Sequence, residues 1–509
     1  MAVRFSSKFL NNGRRFSSSS STALVGKQQA AAPLPSPSPS SSSSSSSPIL
    51  NLDFDDGERL FSSTPTSRLV NSALNLHLAA FGPMVDVGIW VMRSNLMESK
   101  LFRGLLMEVV KRSFYQHFCA GEDLEEASRT LQRLWDDGLR GILDYGLEDA
   151  SDNDGCDRNL EEFLKTVETT AQLPPSSVSY ACVKITAICP ISLLERVSDL
   201  LRWEQKDPSF HLPWKVESLP VLSDSSPLYH TTSKPDPLTA EEEQDLKLAE
   251  QRLSKLCTMC RQFNLPLLVD AEYTSVQPAI DYITYSAAIN FNEDENPIVY
   301  GTIQAYLRDA KDRLVDATKA AERRGISMGF KLVRGAYMTR ETGLASSLGV
   351  ASPIHSSIQD THACYDACTA FMLENIARGY GSVVLATHNL GSGKAAAVKA
   401  AELRIGKGNQ KLQFAQLKGM ADALSLGLRN AGFNVSKYLP FGPVGKVIPY
   451  LLRRAEENRG LLSASTLDRQ LIRFWAEFVA VVLVSGIRRG ELKRRLKVAL
   501  VGRELEVVT

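Results

Sequence analysis

The sequence contains no apolar run of about 18 residues, the length that a membrane-spanning helix requires, which excludes a polytopic membrane protein. Only eight cysteines occur among 509 residues, and their scattered positions do not indicate a disulfide framework. The formal net charge is only +1, so the sequence does not predict a nucleic-acid binder held by many phosphate contacts. Hydrophobic residues make up 44% of the chain, which is enough to bury a large core.

Acidic residues are missing from the first 52 positions, which carry five cations: Arg4, Lys8, Arg14, Arg15 and Lys27. This arginine-bearing, serine-rich composition is typical of an organellar transit peptide, and the arginines favour the mitochondrion over the plastid. Residues 40–47 are all serine and follow four closely spaced prolines. We expect residues 1–48 to be a transit peptide and a disordered linker, with a merely flexible tail as the alternative.

The remainder of the chain divides into a helical arm, an α/β body and a tail. Apolar residues recur at close to a 3.6-residue period within 101–118, which predicts helix and places a helical arm at 49–139. In the body, 140–460, eight β-rich runs alternate with helix-like segments. They are 141–148, 181–188, 265–272, 297–306, 328–337, 382–389, 411–419 and 434–442.

This alternation predicts a parallel sheet, and eight strands are the number that closes a (βα)8 barrel with its site at the carboxyl ends of the strands. An open doubly wound sheet is the alternative. The segment 203–240 has six prolines and no periodicity, so we expect it to be either a lid or disordered.

Polar side chains interrupt these otherwise apolar runs, often near their ends. Because an unpaired buried charge is costly, each must be paired or must face a ligand. Lys184 and Asp270, on consecutive strands, can pair with each other. A structural ion pair would explain any single one, whereas polar residues on five strands predict a polar pocket over a barrel mouth. They are Lys184, Asp270, Gln304, Lys331, Arg334, Thr387, His388 and Asn389.

A second group of candidate binding residues lies on the predicted helix 449–458. Tyr450, Arg453 or Arg454, and Glu457 share one helical face. Two adjacent arginines can grip a carboxylate, and Glu457 can hold an arginine in place. The alternative is a solvated, salt-bridged helix face.

Other motifs are weak. The G-x-G-x-x-A match at 391–396 comes late in the chain and lacks the acid that would bind a ribose, so we do not expect an NAD-binding domain. Phosphate contact at this helix start remains open. Cys257 and Cys260 form a lone C-x-x-C inside a helical segment, which indicates core packing, and the seven histidines show no ligand spacing. We predict no metal site.

Six segments together resemble the proline dehydrogenase family, in the order in which that family has them. They span about residues 180–460, and the acid-free N-terminus makes the chain most similar to the mitochondrial enzymes of plants. The segments are VKITA (183–187), LVDAE (268–272), IQAY (303–306), FKLVRGAY (330–337), ATHN (386–389) and YLLRRAEEN (450–458).

The resemblance implies a distorted (βα)8 barrel that binds FAD without a Rossmann fold. It implies oxidation of L-proline to Δ1-pyrroline-5-carboxylate, with electrons passed to a quinone of the inner mitochondrial membrane. By motif, Lys184, Arg453 and Arg454 would bind the proline carboxylate, and Asp270 would orient these cations. Residues packing around the ring would be Tyr337, Leu417, Tyr438 and Tyr450, with Glu457 pairing with an arginine. FAD contacts would come from Gln304, Lys331, Arg334, Gly335, Thr387, His388 and Asn389.

The implied chemistry suits these residues. Three cations can fix the proline ring so that C5 approaches the flavin N5 at hydride-transfer distance, and they disfavour the ammonium form of the amine. No dedicated base is evident, so we assign the proton to solvent. Lys331 stands where bacterial members have arginine, which changes the geometry of that flavin contact.

Two alternatives remain. The first is hydroxyproline oxidation, which the bulky Tyr438 disfavours. The second is a catalytically silent binding barrel, which would be expected to have lost Lys184 or the arginine pair.

The tail, 461–509, has an apolar stretch at 474–485, interrupted by Glu477, and six cations from Arg488 to Lys497. It is either a terminal helix packed on the barrel or a basic amphipathic segment that contacts an anionic membrane.

Overall fold

The computed structural model describes scattered positions between 52 and 91 and then residues 94–293, 295–458, 494, 497 and 498. The predicted transit peptide and the apolar stretch of the tail lie outside these residues. Among the described helices, none is both long enough and apolar enough to cross a bilayer.

Eight parallel strands form a closed barrel, in which each strand pairs with the next and β8 pairs with β1. The predicted (βα)8 fold is therefore confirmed, and all eight predicted strands are present. The strands are β1 (Arg140–Tyr145), β2 (Val178–Val183), β3 (Leu267–Val269), β4 (Val299–Gln304), β5 (Gly329–Val333), β6 (Ser382–Ala386), β7 (Leu412–Leu417) and β8 (Val435–Phe441).

Helices follow every strand and also precede β1. Before β1 lie α1 (Gly57–Leu60), α2 (Lys100–Val110), a π-helix (Lys111–Tyr115), α3 (Gln116–Phe118) and α4 (Leu124–Asp136). The later helices are α5 (Asn153–Thr169), α6 (Ile191–Lys206), α7 (Ala240–Gln262), α8 (Gln277–Phe291), α9 (Ala310–Arg323), α10 (Met338–Ser347), α11 (Ile358–Ala377), α12 (Leu390–Glu402), α13 (Asp422–Asn430) and α14 (Val444–Asn458). Short 3-10 helices are Asn95–Glu98, Thr170–Gln172 and Ile185–Ala187.

The barrel departs from the regular pattern where it closes. Helix α4, which comes before β1, packs against both β1 and β8, the position that a helix following β8 normally takes. Helix α14 instead contacts the π-helix, and its Arg453 reaches Glu148 in the loop after β1. The last helix of the barrel therefore contributes side chains to the mouth.

Strand periodicity decides which side chains enter the barrel. Alternate residues face opposite sides of a strand, so Ile142, Cys182, Leu268 and Val384 form part of an apolar interior cluster. The inward-facing position two residues after Leu268 is Asp270, and the position two after Cys182 is Lys184. The apolar layer thus lies beneath a polar layer at the carboxyl ends of the strands.

The proline-rich segment between α6 and α7 is ordered. Residues 207–239 contain no helix or strand, but they pack along the outer helices. The amide of Val216 donates to the hydroxyl of Tyr282 on α8 (2.9 Å), and Ser226 Oγ donates to Asp309 Oδ2 at the start of α9 (2.5 Å). Of the two expected alternatives, disorder is wrong because Tyr282 and Asp309 supply hydrogen-bond partners that periodicity does not reveal, and a lid stays a prediction.

The two cysteines of the C-x-x-C motif are buried on α7, as predicted for core packing.

Two glycines provide a matched test of packing. A Cβ on Gly329 would lie 2.3 Å from ring carbons of Tyr300, whereas a Cβ on the helical Gly343 meets nothing within 4 Å. We expect Gly329→Val to lower the free energy of unfolding by about 1–3 kcal/mol through overpacking. Gly343→Ala should raise it by about 0.5–1 kcal/mol because alanine favours helix. Chemical denaturation measures both free energies of unfolding. A Gly329→Val variant that is as stable as the unaltered chain would contradict the close approach of Tyr300 to Gly329.

Candidate active site

Four charged side chains meet at the carboxyl end of the barrel. Lys184 Nζ lies 3.4 Å from Asp144 Oδ2 and 3.5 Å from Asp270 Oδ2, and Lys331 Nζ forms an ion pair with Asp270 Oδ1. The predicted pairing of Lys184 with Asp270 is thus present. Two acids balance two cations, which is how buried charges become tolerable.

The aromatic side chain of Tyr438 completes this cluster. Its hydroxyl donates to Asp270 Oδ2 (2.8 Å), and Lys331 Nζ lies 5.3 Å from the centre of its ring. Cys182 Sγ also donates to Asp270 Oδ1 (3.1 Å). Asp270 therefore accepts hydrogen bonds from Lys331, Tyr438 and Cys182 and forms an ion pair with Lys184.

Asp270 and the two lysines are held in their ionised forms, whereas at Asp144 burial outweighs the charge of Lys184 and raises the pKa of the carboxyl group. Burial alone would lower the pKa of Lys184, but the carboxylates of Asp144 and Asp270 raise it well above its usual value. Burial opposes ionisation of Asp270, yet Lys331 and Lys184 hold its pKa below the usual range. The mouth therefore presents permanent ammonium groups beside a permanent carboxylate.

A second group of charges lies on α14 above the mouth. Arg453 donates through Nη1 and Nη2 to the two carboxylate oxygens of Glu148, both at 3.0 Å. Burial would raise the pKa of Glu148, but this hydrogen bonding and the charge of Arg453 outweigh burial and lower it. Arg453 also lies over the ring of Tyr337, 5.6 Å from its centre. This bidentate pair fixes α14 to the loop after β1.

The neighbouring arginine lies deeper than Arg453. Arg454 is only 6% exposed, with its guanidinium carbon 5.1 Å from the ring centre of Tyr450. Tyr450 and Leu417 pack against the same apolar cluster, which links α14 to the end of β7. Glu457 belongs to α14, but its side chain lies outside the described residues, so its predicted pairing stays a prediction.

The residues predicted to contact a cofactor gather at β4, β5 and β6. Arg334 donates to Thr387 Oγ1 (2.6 Å), to Ser392 Oγ (2.7 Å) and to His362 Nδ1 (3.0 Å). Asn389 caps α12 by accepting from the amide of Ser392 (2.8 Å). These bonds hold the guanidinium across the two strand ends and the start of α12.

His388 is neutral. Its Nε2 accepts from the amide of Leu417 (3.1 Å), so the ring proton of the neutral form resides on Nδ1. Burial, followed by the charge of Arg454, lowers the pKa of His388 to about 3.

Gln304 and Gly335 border the same region. Gln304 is buried, and its Oε1 has no hydrogen-bond partner among the described residues. Gly335 has φ +128°, and a Cβ there would lie 2.2 Å from the ring of Tyr306, so only glycine fits.

Three acids that contribute to this site were not predicted from the sequence. Asp144 stands alone among apolar residues of β1, the same signal that identified Asp270, and was overlooked. Glu148 and Glu272 lie in loops just past strands and carry no distinguishing local pattern. Glu272 accepts from Thr186 Oγ1 (2.8 Å) and from the Thr186 amide (3.3 Å), and thereby joins the loops after β2 and β3.

Asp144, Cys182 and Asp270 also bring ligand-type atoms within 4.8 Å of one another. The ammonium groups of Lys184 and Lys331 already balance the two carboxylates there, so the cluster is accounted for by ion pairs.

Glu272 makes the stability of the fold dependent on pH. Burial raises its pKa from 4.5 to about 8, so between these values the folded chain keeps a proton that the unfolded chain has lost. Stability should therefore fall as pH rises through this window, by up to ~1.4 kcal/mol per pH unit. Glu272→Gln should reduce that slope in unfolding free energies measured across the window, and part of the slope should remain because burial also raises the pKa of Asp281 to about 7. The exposed Glu374→Gln should leave the slope unchanged, and an unaltered slope in Glu272→Gln would contradict the assignment.

Comparison with known proteins assigns the chain to a family. The proline dehydrogenase family model matches residues 127–466. Proline dehydrogenase 1, mitochondrial, of Arabidopsis thaliana is 56% identical over 87% of this chain and 87% of its own length. Proline dehydrogenase 2, mitochondrial, of the same plant is 55% identical over 84% of this chain and 90% of its own length. Human hydroxyproline dehydrogenase is 33% identical over 83% of this chain and 92% of its own length.

Solved structures agree on the fold. Proline utilization A from Bdellovibrio bacteriovorus superposes with a TM-score of 0.55 at 19% identity, over 79% of this chain and 37% of that longer chain. The corresponding protein from Bradyrhizobium japonicum gives a TM-score of 0.51 at 18% identity, over 80% of this chain and 41% of its own. The extent of the family match and the identity to the plant proteins establish that this chain belongs to the proline dehydrogenase family.

Proposed function

We propose that the chain is a mitochondrial, FAD-dependent dehydrogenase that oxidises L-proline to Δ1-pyrroline-5-carboxylate and passes the electrons to a membrane quinone. The observation that carries this proposal is the mouth of the barrel. The ion-paired Lys184 lies there beside Asp270, and α14 places Arg453 and Arg454 at the same end. The plant relatives that are 55–56% identical over most of the chain are named as mitochondrial proline dehydrogenases.

The substrate carboxylate would bind to the cations of this mouth. Arg453 donates to Glu148 at 3.0 Å and lies 5.6 Å from the ring centre of Tyr337. The charge of Lys184 also lowers the pKa of Glu148 and opposes the rise in the pKa of Tyr337. Asp270 holds Lys184 from one side, so the ammonium group is oriented before a ligand arrives. Orienting cations in advance lowers the entropic cost of placing the proline ring.

Tyr337, Leu417, Tyr438 and Tyr450 offer apolar surface around the carboxylate position. Tyr438 is fixed by its hydrogen bond to Asp270 (2.8 Å), so its ring cannot swing away to admit a larger substrate. We propose that this rigid ring disfavours a hydroxylated proline. The similarity to human hydroxyproline dehydrogenase makes hydroxyproline the second candidate substrate.

FAD fits the opposite half of the mouth. The buried Gln304 Oε1 lacks a protein partner among the described residues, as expected of an atom that binds a ligand. Arg334, Thr387, His388 and Asn389 border this half, together with Lys331 and Gly335. When bound there, FAD would supply the acceptor for the hydride that leaves C5 of proline.

The residues around the cofactor half of the mouth each have a role in the proposed reaction. The Lys331 ammonium group provides a fixed positive charge that favours an anionic reduced cofactor. The Arg334 guanidinium is held by Thr387 and Ser392, so it is available in one orientation. Neutral His388 accepts from the amide of Leu417 and thereby couples the cofactor half to the backbone of a residue in the substrate half.

The proposed location and electron acceptor rest on the two ends of the chain. The acid-free segment 1–48 would direct the chain to the mitochondrion. The basic tail, 461–509, would bring the barrel to the matrix side of the inner membrane, where a quinone is available.

The proposed reaction has a direct optical test. The purified full chain, reconstituted with FAD and kept anaerobic, should show a flavin absorbance band that L-proline bleaches. Hydroxyproline at the same concentration should bleach it more slowly because Tyr438 crowds the added hydroxyl. Stopped-flow absorbance at the flavin band measures both rates.

Two outcomes of the bleaching experiment would change the proposed function. Faster bleaching by hydroxyproline would transfer the assignment to that substrate. Failure to bind FAD would overturn both oxidation reactions and leave a binding barrel.

The arginine pair supplies a second test. Arg453→Met and Arg454→Met each remove a charged donor from the carboxylate site, so each should raise the KM for L-proline by about tenfold or more. The flavin absorbance of both variants should remain, because neither arginine is proposed to hold FAD. Arg324→Met removes a cation that pairs with Glu217 on the outside of the barrel and serves as the control. Unchanged KM values in both arginine variants would contradict the proposed substrate site.

A further inference from the structure

A large cavity lies outside the barrel, apart from the proposed active site. Its volume is about 850 Å³, within the range of small-molecule sites. The wall combines the segment before β1, helix α4, the loop after β7 and one outward-facing residue of β8. The lining residues on which the argument depends are Arg68, His117, Arg133, Lys418, Asp422 and Lys437.

Lys418 contributes a cation without an acidic partner. Its Nζ donates to the backbone carbonyls of Gln116 (2.9 Å) and His117 (2.8 Å), and among the described residues no carboxylate forms an ion pair with it. Desolvation, together with the charges of Arg133 and Arg68, outweighs the opposing effects of Cys119 and Asp422 and lowers its pKa to about 8. An anion bound beside Lys418 would relieve this repulsion.

Arg133, at the rim of the cavity, likewise forms no ion pair with a carboxylate among the described residues. Its Nε donates to the carbonyl of Arg129 (3.1 Å) and its Nη2 to Thr130 Oγ1 (3.0 Å), so these partners are both neutral. Guanidinium groups bind phosphates and carboxylates through two parallel donors, and the exposed Arg133 retains further donors for such a contact.

The other cations of the lining are paired with carboxylates. Lys111 pairs with Glu122, Arg112 with Glu108 (2.6 Å) and Arg129 with Glu125. Arg68 pairs with Asp137 (2.9 Å), and Lys437 pairs with Asp422 (2.5 Å). Burial lowers the pKa of His117 to about 4, so its ring is uncharged at neutral pH. Among the described lining residues, the cations that pair with no carboxylate are therefore Lys418 and Arg133, and Glu126 adds one lining carboxylate that accepts from the Glu122 amide (2.9 Å).

We propose that this cavity is a binding site for a small polyanion that carries phosphate or carboxylate groups, with Lys418 at its floor and Arg133 at its rim. The site is independent of the proposed reaction. The cavity is nevertheless connected to the mouth through the backbone. Lys418 directly follows Leu417, whose amide donates to His388. Occupation of the cavity would therefore fix the loop that carries Leu417.

Isothermal titration of the full chain tests the site with two probes, pyrophosphate and citrate, at constant ionic strength. We expect saturable binding of at least one probe. Lys418→Met should weaken that binding by about tenfold and Arg133→Gln by several-fold, since each removes a charge-assisted contact. Arg112→Gln is the matched control, because Arg112 lines the same cavity but pairs with Glu108 (2.6 Å). Binding of pyrophosphate alone would identify a phosphorylated ligand, and binding of citrate alone would identify a polycarboxylate.

The pH dependence provides a second readout. The carboxylates of citrate are fully ionised above neutral pH, so its affinity for the unaltered chain should fall as pH rises through about 8, where Lys418 loses its proton. Lys418→Met should lack this dependence. If Lys418→Met fails to fold, Arg133→Gln carries the test, because Arg133 is exposed. The absence of saturable binding of both probes would overturn the proposal, as would an equal loss of affinity in Arg112→Gln.

Discussion

The buried charges at the barrel mouth are the constraint on which the rest of the structure depends. Asp270 accepts from Lys331, Tyr438 and Cys182 and pairs with Lys184, and these five residues come from β2, β3, β5, β8 and their ends. Removal of one charge would leave its partners buried and unpaired, which costs several kcal/mol, on the order of 3–5. The barrel must therefore close with its strands in this register, and the same closure positions the ammonium groups.

The displaced last helix makes the mouth different from that of a regular barrel. Because α4 occupies the flank of β1 and β8, α14 is available to cover the carboxyl ends of the strands. Its attachment through Arg453 and Glu148 is bidentate, so it fixes both the position and the rotation of the helix. The exchange of the two helices thus brings Arg453 and Arg454 to the carboxyl end of the barrel.

Sequence patterns predicted the eight strands because the apolar runs are long and the alternation of strands and helices is regular. They also predicted Lys184, Asp270 and Lys331, since a charge inside an apolar run is a local anomaly that can be read directly. They failed for residues 207–239, whose order depends on partners such as Tyr282 and Asp309 from helices distant in sequence. Expectations about the ends of the chain concern residues that the structure does not describe.

The sequence by itself determined the barrel class, the inward-facing positions and, through its motifs, the family. These properties follow from local periodicity and from residue types that neighbouring positions make unusual. Only the tertiary structure decided which charges pair: Lys184 with Asp144 as well as Asp270, and Arg453 with Glu148. Ion pairing depends on distances of a few ångströms between segments up to 305 positions apart, and closure of the barrel sets those distances.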